Sequence, residues 1–294
     1  MFTHRSAFAL QGPSAYLAPK KTNTTASMLN FIKSLFRPRE SVKGASVPDG
    51  TRVYAIGDIH GCFDLFEALA DAIERDDAER GAADTTVILL GDLVDRGPDS
   101  RKVIESARRW QKSRKVRILA GNHEEMFLES FTDKGVLRHF LKHGGRETIL
   151  SYGIPKKEYN DASIDSLQAS LQELVPQEDR DFINGFEEWI AIGDYAFVHA
   201  GIAPGVPLEE QKRRDLLWIR ERFLAHDEPH PQIIVHGHTI FKDIDERSNR
   251  IGVDTGAFRF GRLTAVVFEG HTRRYIQSVE QDGVIAIEHR DTLP

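Results

Sequence analysis

Cysteine is almost absent from this sequence, since Cys62 is the only one among 294 residues. A single thiol excludes an internal disulfide and any metal site built from several cysteines, and it suits a reducing compartment. The sequence also has no apolar run long enough to span a membrane. No apolar core of signal-peptide length follows its charged start. We therefore expect a cytoplasmic protein.

An overall excess of basic residues is missing as well. The formal net charge is −6, with +5 on residues 1–50 and −11 on the rest of the chain. A protein that binds the nucleic-acid backbone needs a basic face, so the acidic body argues against a nucleic-acid partner. An acidic body does suit a protein that captures cations.

The composition divides the chain into a flexible basic arm over 1–50 and a body over 51–294. Residues 1–27 are polar and mixed, which is typical of disorder, and it stays open whether they belong to the natural mature protein. In 28–39, apolar residues fall on one helical face beside Lys33, Arg37 and Arg39. The pattern favours a helix packed on the body or a leader before the true start. The alternative is a basic helix in weak peripheral contact with a membrane.

Strands and helices alternate at the start of the body. Hydrophobic periodicity predicts strands over 52–58, 85–92 and 115–122, with helices over 64–79 and 100–114 between them. This order is typical of a βαβαβ unit with parallel strands, and ligands of such sheets gather beyond the carboxyl ends of the strands.

The segment 124–190 breaks this alternation, because it is mostly helical and has an amphipathic stretch over 164–174. Its place in the chain is typical of a lid or a substrate-shaping insert. Gly256 and Gly261 predict a hairpin turn around Phe258-Arg259-Phe260. Further strands are predicted after the insert, over 194–199, 232–236, 250–254, 263–268 and 283–289.

Polar residues beside glycines end five of the predicted strands. The segments are GDIHG at 57–61, GD at 91–92, GNHE at 121–124, HAG at 199–201 and HGH at 236–238. Any one of them could be a satisfied polar turn, but five at the same edge of one sheet indicate a shared task. Asp, His and Asn donors without cysteine suit Mn²⁺, Fe or Zn²⁺. The candidates are too many for one ion and fit two ions that share a carboxylate.

The motifs GDIHG, GDLVDRG, GNHE, HAG and HGHT, in this order over 57–239, together resemble the phosphoprotein phosphatase family within the calcineurin-like metallophosphoesterases. VDTGA at 253–257 extends the resemblance, whereas the arm and the insert lie outside it. The resemblance implies an α+β fold, a four-layer αββα sandwich of two mixed β-sheets with a βαβαβ N-terminal half. Taken alone, the βαβαβ half would also fit a doubly wound sheet.

The resemblance also implies roles for individual residues. A water shared by two divalent ions, expected to be Mn²⁺ with Fe or Zn²⁺ as alternatives, would become hydroxide near neutral pH and attack phosphorus in line. His123, oriented by Asp95, would protonate the leaving oxygen. Phosphate would be bound by Arg96, Arg220 and Asn122. The metal ligands would be Asp58, His60, Asp92 as the bridge, Asn122, His199 and His238.

Two further residues lie near these motifs. Arg220 lies in LWIRER, which resembles the WNRER segment of phage and bacterial protein phosphatases, but a surface helix of mixed charge is the alternative. His236 is expected to support the ligands or the phosphate from behind.

Three positions bear on the substrate. Symmetrical diadenosine tetraphosphate hydrolases typically have Ala at the place of Asp95, Asp at the place of Glu124 and GHW where this chain has GHT. The resemblance therefore favours a bacterial serine/threonine protein phosphatase acting on phosphoprotein or phosphopeptide. The alternatives are the symmetrical hydrolase and a non-catalytic, metal-stabilised interaction module. The oligomeric state and the preference between phosphoserine, phosphothreonine and phosphotyrosine stay open.

Overall fold

The structure of the protein, a computed structural model, describes residues 44–291. The amphipathic segment 28–39 lies outside the described residues. Of the predicted arm, residues 44–50 are described, and they contact the body: the Val47 side chain is 2% exposed and its N–H donates to the carbonyl of Gly270 at 3.1 Å. The Ser46 N–H donates to the carboxylate of Asp194 at 2.9 Å. The arm itself stays a prediction, and its last residues pack against the body.

Two mixed sheets contain the strands of the described residues. Their orders are β11-β10-β9-β1-β2-β3 and β4-β5-β6-β8-β7. Strands β1, β2 and β3 run parallel, as do β5, β6 and β8, and the other neighbours are antiparallel. The strands are β1 (Thr51–Ile56), β2 (Asp84–Leu89), β3 (Val116–Ile118), β4 (Trp189–Ile192), β5 (Tyr195–Val198), β6 (Ile233–His236), β7 (Asp245–Glu246), β8 (Arg250–Gly252), β9 (Arg262–Glu269), β10 (Thr272–Gln281) and β11 (Val284–Arg290).

Helices connect the first three strands and fill the stretch between β3 and β4, and three short helices follow β5 and β8. They are α1 (Phe63–Glu79), α2 (Ser100–Ser113), α3 (Asn122–Ser130), α4 (Lys134–Phe140), α5 (Arg146–Ser151), α6 (Lys156–Asp161), α7 (Ile164–Leu174), α8 (Gln177–Asn184), α9 (Arg213–Trp218), α10 (Glu221–Leu224) and α11 (Ala257–Phe260). A π-helical turn, Leu141–Gly145, joins α4 to α5. No helix in the described part is long and apolar enough to cross a membrane.

Side chains alternate along the central strands between apolar layers. In β1, Tyr54 and Ile56 pack with α1 and α2, whereas Val53 packs between the two sheets. In β5, Phe197 enters the layer between the sheets, whereas Val198 packs with α9 and α10. The order helices, sheet, sheet, helices confirms the predicted αββα sandwich, and α1 and α2 confirm its βαβαβ half.

Two of the predicted features are wrong. The five polar strand ends lie on two sheets rather than one, because β5 and β6 belong to the five-stranded sheet. Phe258-Arg259-Phe260 is not a hairpin turn but part of the one-turn helix α11. Gly256 and Gly261 flank this helix in the left-handed conformation, with φ of 75° and 62°. A helix is possible here because β8 and β9, which it connects, lie in different sheets.

Strands β4, β7 and β10 are absent from the prediction. The reason is clearest for β10, whose TRRYIQSVEQ has few apolar residues and no clean alternation. Its buried polar groups are paired across the fold: Arg274 lies 2.7 Å from the carboxylate of Asp76, and the amide of Gln277 donates to Thr264 at 2.7 Å. Asp76 lies 198 positions from Arg274 along the chain, and a local pattern cannot show such a partner.

The packing of residues 44–50 can be tested with two valines. Val47→Ala should lower the free energy of unfolding by about 1–3 kcal/mol, because it removes buried methyl groups. The matched control is Val284→Ala, whose side chain is 67% exposed, and it should change the free energy by less than about 0.5 kcal/mol. Urea unfolding of both variants measures the difference, and equal effects would contradict the packing described here.

Candidate active site

The six predicted metal ligands come together in one buried site. Three strands of one sheet and two of the other direct their carboxyl ends to it, which explains why the motifs are so far apart along the chain. Each ligand lies just after a strand: Asp58 and His60 after β1, Asp92 after β2, Asn122 at the start of α3, His199 after β5 and His238 after β6.

Asp92 lies at the centre of this site. Its Oδ1 is 3.4 Å from Nε2 of His199, and its Oδ2 is 3.5 Å from Nε2 of His60. Two groups of ligand atoms lie close enough to hold an ion, namely His60, Asp92 and His123, and Asp92, His199 and His238. Asp92 belongs to both groups, which is the position that a bridging carboxylate needs.

Asp58 and Asn122 complete the surroundings of these two groups. Oδ2 of Asp58 is 3.9 Å from Nε2 of His60, and both of its oxygens accept the N–H of His238 at 3.0 Å. Oδ1 of Asn122 is 3.1 Å from Nε2 of His199. The first compact group contains His123 rather than Asp58, although Asp58 lies beside it. The role of all six as ligands remains a prediction.

Backbone carbonyls set the protonation of two of the histidines. Nδ1 of His60 faces the carbonyl of Val94 at 2.9 Å, and Nδ1 of His199 faces that of Leu90 at 2.8 Å. A carbonyl only accepts, so Nδ1 carries the proton and Nε2 presents its lone pair to the site. Imidazole nitrogens with carboxylate and amide oxygens are a donor set for Mn²⁺, Fe or Zn²⁺. The residues present therefore fit two divalent ions.

Backbone strain is concentrated at this site. Five of its residues have φ between 47° and 74°, and the only other such non-glycine residue described is Asp282, in a turn. A left-handed conformation costs roughly 1–2 kcal/mol for a residue with a side chain, so contacts with the surroundings must hold it. The five residues are His60, Asp92, Asp95, Arg96 and His238.

Glu124 holds the loop that follows β2. Its buried carboxylate accepts the N–H groups of Asp92 at 2.8 Å, Leu93 at 2.7 Å, Val94 at 3.2 Å and Gly121 at 2.9 Å. Burial and the charge of Asp92 raise the pKa of Glu124 to about 7. Sequence reasoning used this residue only to compare subfamilies and missed its structural task, for which its place in GNHE was the signal.

Glycine is required beside the carboxylates. A Cβ on Gly121 would lie 2.1 Å from Oδ1 of Asp92, and one on Gly237 would lie 2.1 Å from Oδ1 of Asp58. Such contacts are far shorter than van der Waals distances, so a larger residue would displace the carboxylate. The glycines of GNH and HGH therefore let two predicted ligands lie directly on the backbone.

His123 and Asp95 form a buried pair, as predicted for the proton donor and its support. Nδ1 of His123 is 2.6 Å from Oδ2 of Asp95. Burial disfavours the charged imidazole, but the charge of Asp92 and the hydrogen bond with Asp95 outweigh it and raise the pKa of His123. Nε2 of His123 lies 3.9 Å from Oδ2 of Asp92, so a protonated ring would present its second N–H to the site.

The two predicted phosphate-binding arginines reach different ligand groups. Nη1 of Arg96 lies 2.8 Å from Nε2 of His60, and its Nη2 lies 3.0 Å from Nε2 of His123. Nε of Arg220 donates to Nε2 of His238 at 3.0 Å. Arg220 lies between α9 and α10 rather than within a surface helix. The guanidinium groups therefore flank the site from two directions.

His236 lies apart from both ligand groups. Its ring packs against Phe223, with the centroids 5.1 Å apart, and its Nδ1 lies 3.0 Å from the carbonyl of Gly237. Burial and the charge of Arg250 lower the pKa of His236 to about 4. It contacts the chain segment that carries His238, and the expected phosphate-side role finds no contact to support it.

The sequence is similar to those of known proteins. A family model described as calcineurin-like phosphoesterase matches residues 51–275. An asymmetrical bis(5'-nucleosyl)-tetraphosphatase of Bacillus velezensis is 27% identical over 76% of this chain and 91% of its own length. The symmetrical bis(5'-nucleosyl)-tetraphosphatase of Baumannia cicadellinicola is 39% identical, but the match covers 30% of this chain and 28% of that protein.

Solved structures share the fold at low sequence identity. A structure described as a candidate diadenosine tetraphosphatase has a TM-score of 0.52 and 22% identity, covering 84% of this chain and 99% of its own. A cold-active protein-tyrosine phosphatase of a psychrophilic Shewanella species has a TM-score of 0.50 and 18% identity, covering 82% of this chain and 83% of its own. These similarities concern the fold alone.

The bridging position of Asp92 predicts a specific metal defect. Mn²⁺-loaded protein should contain about two ions per chain, and Asp92→Asn should weaken binding of both by at least about tenfold, because a neutral amide is a poor bridge. Asp84→Asn, at an exposed carboxylate of β2, is the matched control and should bind as the wild type does. Elemental analysis and Mn²⁺ titration measure both, and a single tightly bound ion in active protein would contradict a shared ligand.

Proposed function

Because the chain belongs to the calcineurin-like phosphoesterase family, and is thus a metallophosphoesterase, we propose that it is a protein phosphatase that hydrolyses phosphoserine or phosphothreonine. The observation that carries the proposal is the buried pair of His123 and Asp95, 2.6 Å apart. A serine or threonine alkoxide is a poor leaving group and needs a proton. A non-catalytic module would need metal ligands but no such acid.

The predicted ligands would hold the electrophilic part of the site. Two divalent ions, which we propose to be Mn²⁺, would be held by the six predicted ligands and, when bound, would polarise phosphoryl oxygens and activate water near neutral pH. The protein contributes the orientation of the ligands: the carbonyls of Val94 and Leu90 keep Nε2 of His60 and His199 directed into the site. Glu124 holds the loop of Asp92 in its strained conformation.

The arginines supply recognition of the phosphate. A guanidinium group matches two phosphate oxygens at once, and it keeps its charge at any physiological pH. Arg96 lies between His60 and His123, whereas Arg220 lies against His238. A phosphate held by both would lie over the ligand groups, with the amide of Asn122 nearby.

His123 is the group that would donate a proton to the leaving oxygen. Its bond to Asp95 places one ring proton on Nδ1. Nε2 faces the site and accepts from Nη2 of Arg96 in this structure, so the proton to be donated would occupy Nε2 once Arg96 turns to a bound phosphate. The charge of Asp92 and the bond with Asp95 raise the pKa of His123 against the effect of burial. After donation to the leaving oxygen, the neutral ring keeps its Nδ1–H bond to Asp95.

Hydrolysis of diadenosine tetraphosphate is the second candidate. The tetraphosphatase names of several relatives favour it, and so does Phe258, whose ring is 37% exposed at the edge of the site. The Arg96 guanidinium lies 4.6 Å from the centroid of this ring, so an aromatic surface for a base exists beside a phosphate-binding group. Against this candidate, a departing nucleotide phosphate leaves readily and has less need of His123.

A direct comparison of substrates separates the two candidates. Full-length protein in Mn²⁺ should release phosphate from phosphoserine and phosphothreonine peptides with a kcat/KM at least about tenfold above that for diadenosine tetraphosphate, since only the peptides gain from the acid. A phosphotyrosine peptide of the same sequence serves as the matched third substrate. Faster cleavage of the dinucleotide would replace the proposal by the second candidate.

Leaving-group dependence tests the role of His123. His123→Asn should lower kcat on a phosphoserine peptide by about 10²–10⁴-fold while KM changes little. The loss on p-nitrophenyl phosphate should be smaller, because p-nitrophenolate leaves largely without a proton. His271→Asn, at an exposed turn between β9 and β10, is the control and should retain activity. Equal losses on the two substrates, or rescue of both by added Mn²⁺, would remove His123 from this role.

A further inference from the structure

We propose that Thr148, on helix α5 of the insert, is a positioning residue for the pair of His123 and Asp95. This inference rests on the proposed role of His123 as the acid. Thr148 is 0% exposed and lies 53 positions from Asp95 along the chain, outside every motif of the sequence. Its hydroxyl nevertheless contacts the carboxylate that supports the imidazole.

The hydrogen bonds of this hydroxyl have one consistent direction. Oγ1 of Thr148 lies 2.6 Å from Oδ1 of Asp95, 2.9 Å from the backbone N of Asp95 and 2.9 Å from Oγ of Ser100. A hydroxyl has one proton to donate and two lone pairs. A carboxylate only accepts, so the proton goes to Oδ1 of Asp95, and Thr148 accepts from the Asp95 N–H and from Ser100. Every bonding position of the hydroxyl is used.

The carboxylate of Asp95 is thereby held at both of its oxygens. Oδ2 is 2.6 Å from Nδ1 of His123, and Oδ1 is 2.6 Å from the Thr148 hydroxyl. Asp95 is fully buried, so bulk water cannot replace a lost donor. Without the hydroxyl, one oxygen of a buried carboxylate would have no donor. The carboxylate would then turn away or take up a proton, and the imidazole would lose its orientation.

The same helical region also holds the backbone at this point. Asp95 and Arg96 are consecutive residues with φ of 74° and 70°. The hydroxyls of Thr148 and Ser100 share the N–H of the first at 2.9 and 3.0 Å, and the carbonyl of Gly144 accepts the N–H of the second at 3.1 Å. A Cβ on Gly144 would lie 2.7 Å from Cγ of Arg96. Neighbouring residues of the insert therefore determine where both the support of the acid and a phosphate-binding arginine lie.

The test compares two small substrates that differ in their leaving group. Thr148→Val keeps the shape but removes the hydroxyl. In Mn²⁺-loaded full-length protein it should lower kcat on phenyl phosphate by about tenfold, with a smaller loss on p-nitrophenyl phosphate and an unchanged KM. Thr148→Ser keeps the hydroxyl and should restore most of kcat. Thr148→Ala is made in parallel, so that the comparison does not depend on the folding of one variant.

The controls separate this inference from its premise. Thr86→Val, at a buried threonine of β2, should show no dependence on the leaving group. His123→Asn is measured on the same two substrates, with metal content checked in every variant. If His123→Asn shows the leaving-group bias and the Thr148 variants do not, the inference about Thr148 alone is wrong. If His123→Asn lacks the bias, both the role of His123 as the acid and the role of Thr148 as its positioning residue are wrong. Equal losses in Thr148→Ser and Thr148→Val would also overturn the proposal.

Discussion

The buried charge of Asp92 is the constraint on which the rest of the site depends. Burial raises the free energy of an ionised carboxylate steeply, yet electrostatic interactions with His199, His123 and His60 outweigh burial and lower the pKa of Asp92. These histidines follow β5, begin α3 and follow β1, so they come from both sheets. His199 can reach Asp92 only when the two sheets pack against each other, which links folding to assembly of the site.

The convergence of the strand ends on Asp92 is accompanied by backbone strain in the loops that follow the strands. The strand ends converge so closely that the residues following them adopt left-handed conformations, and Gly121 has no room for a Cβ. Two buried side chains that make several hydrogen bonds each hold these strained residues in place. Glu124 accepts from the loop of Asp92, and Thr148 bonds to Asp95. The sheets form a rigid frame, and these two side chains fix the positions of Asp92 and Asp95 at its edge.

The helical insert contacts residues of the candidate site as well as covering the body. Its apolar face joins the layer formed by α1, α2 and the six-stranded sheet, and its polar contacts reach Asp95 and Arg96. Sequence reasoning interpreted the insert as a lid or a substrate-shaping segment. Thr148 carries no motif, and its importance depends on a contact between residues 53 positions apart.

By itself, the sequence determined the order of elements in the first half, the residue types at the strand ends and the family, because short apolar runs and polar termini are local features. Only the tertiary structure decided that the strand ends belong to two sheets, that β10 is buried through the pairing of Arg274 with Asp76, and that Phe258 lies on a helix beside Arg96. Each of these depends on groups distant along the chain. Their contacts form only when burial makes an unpaired charge or donor too costly.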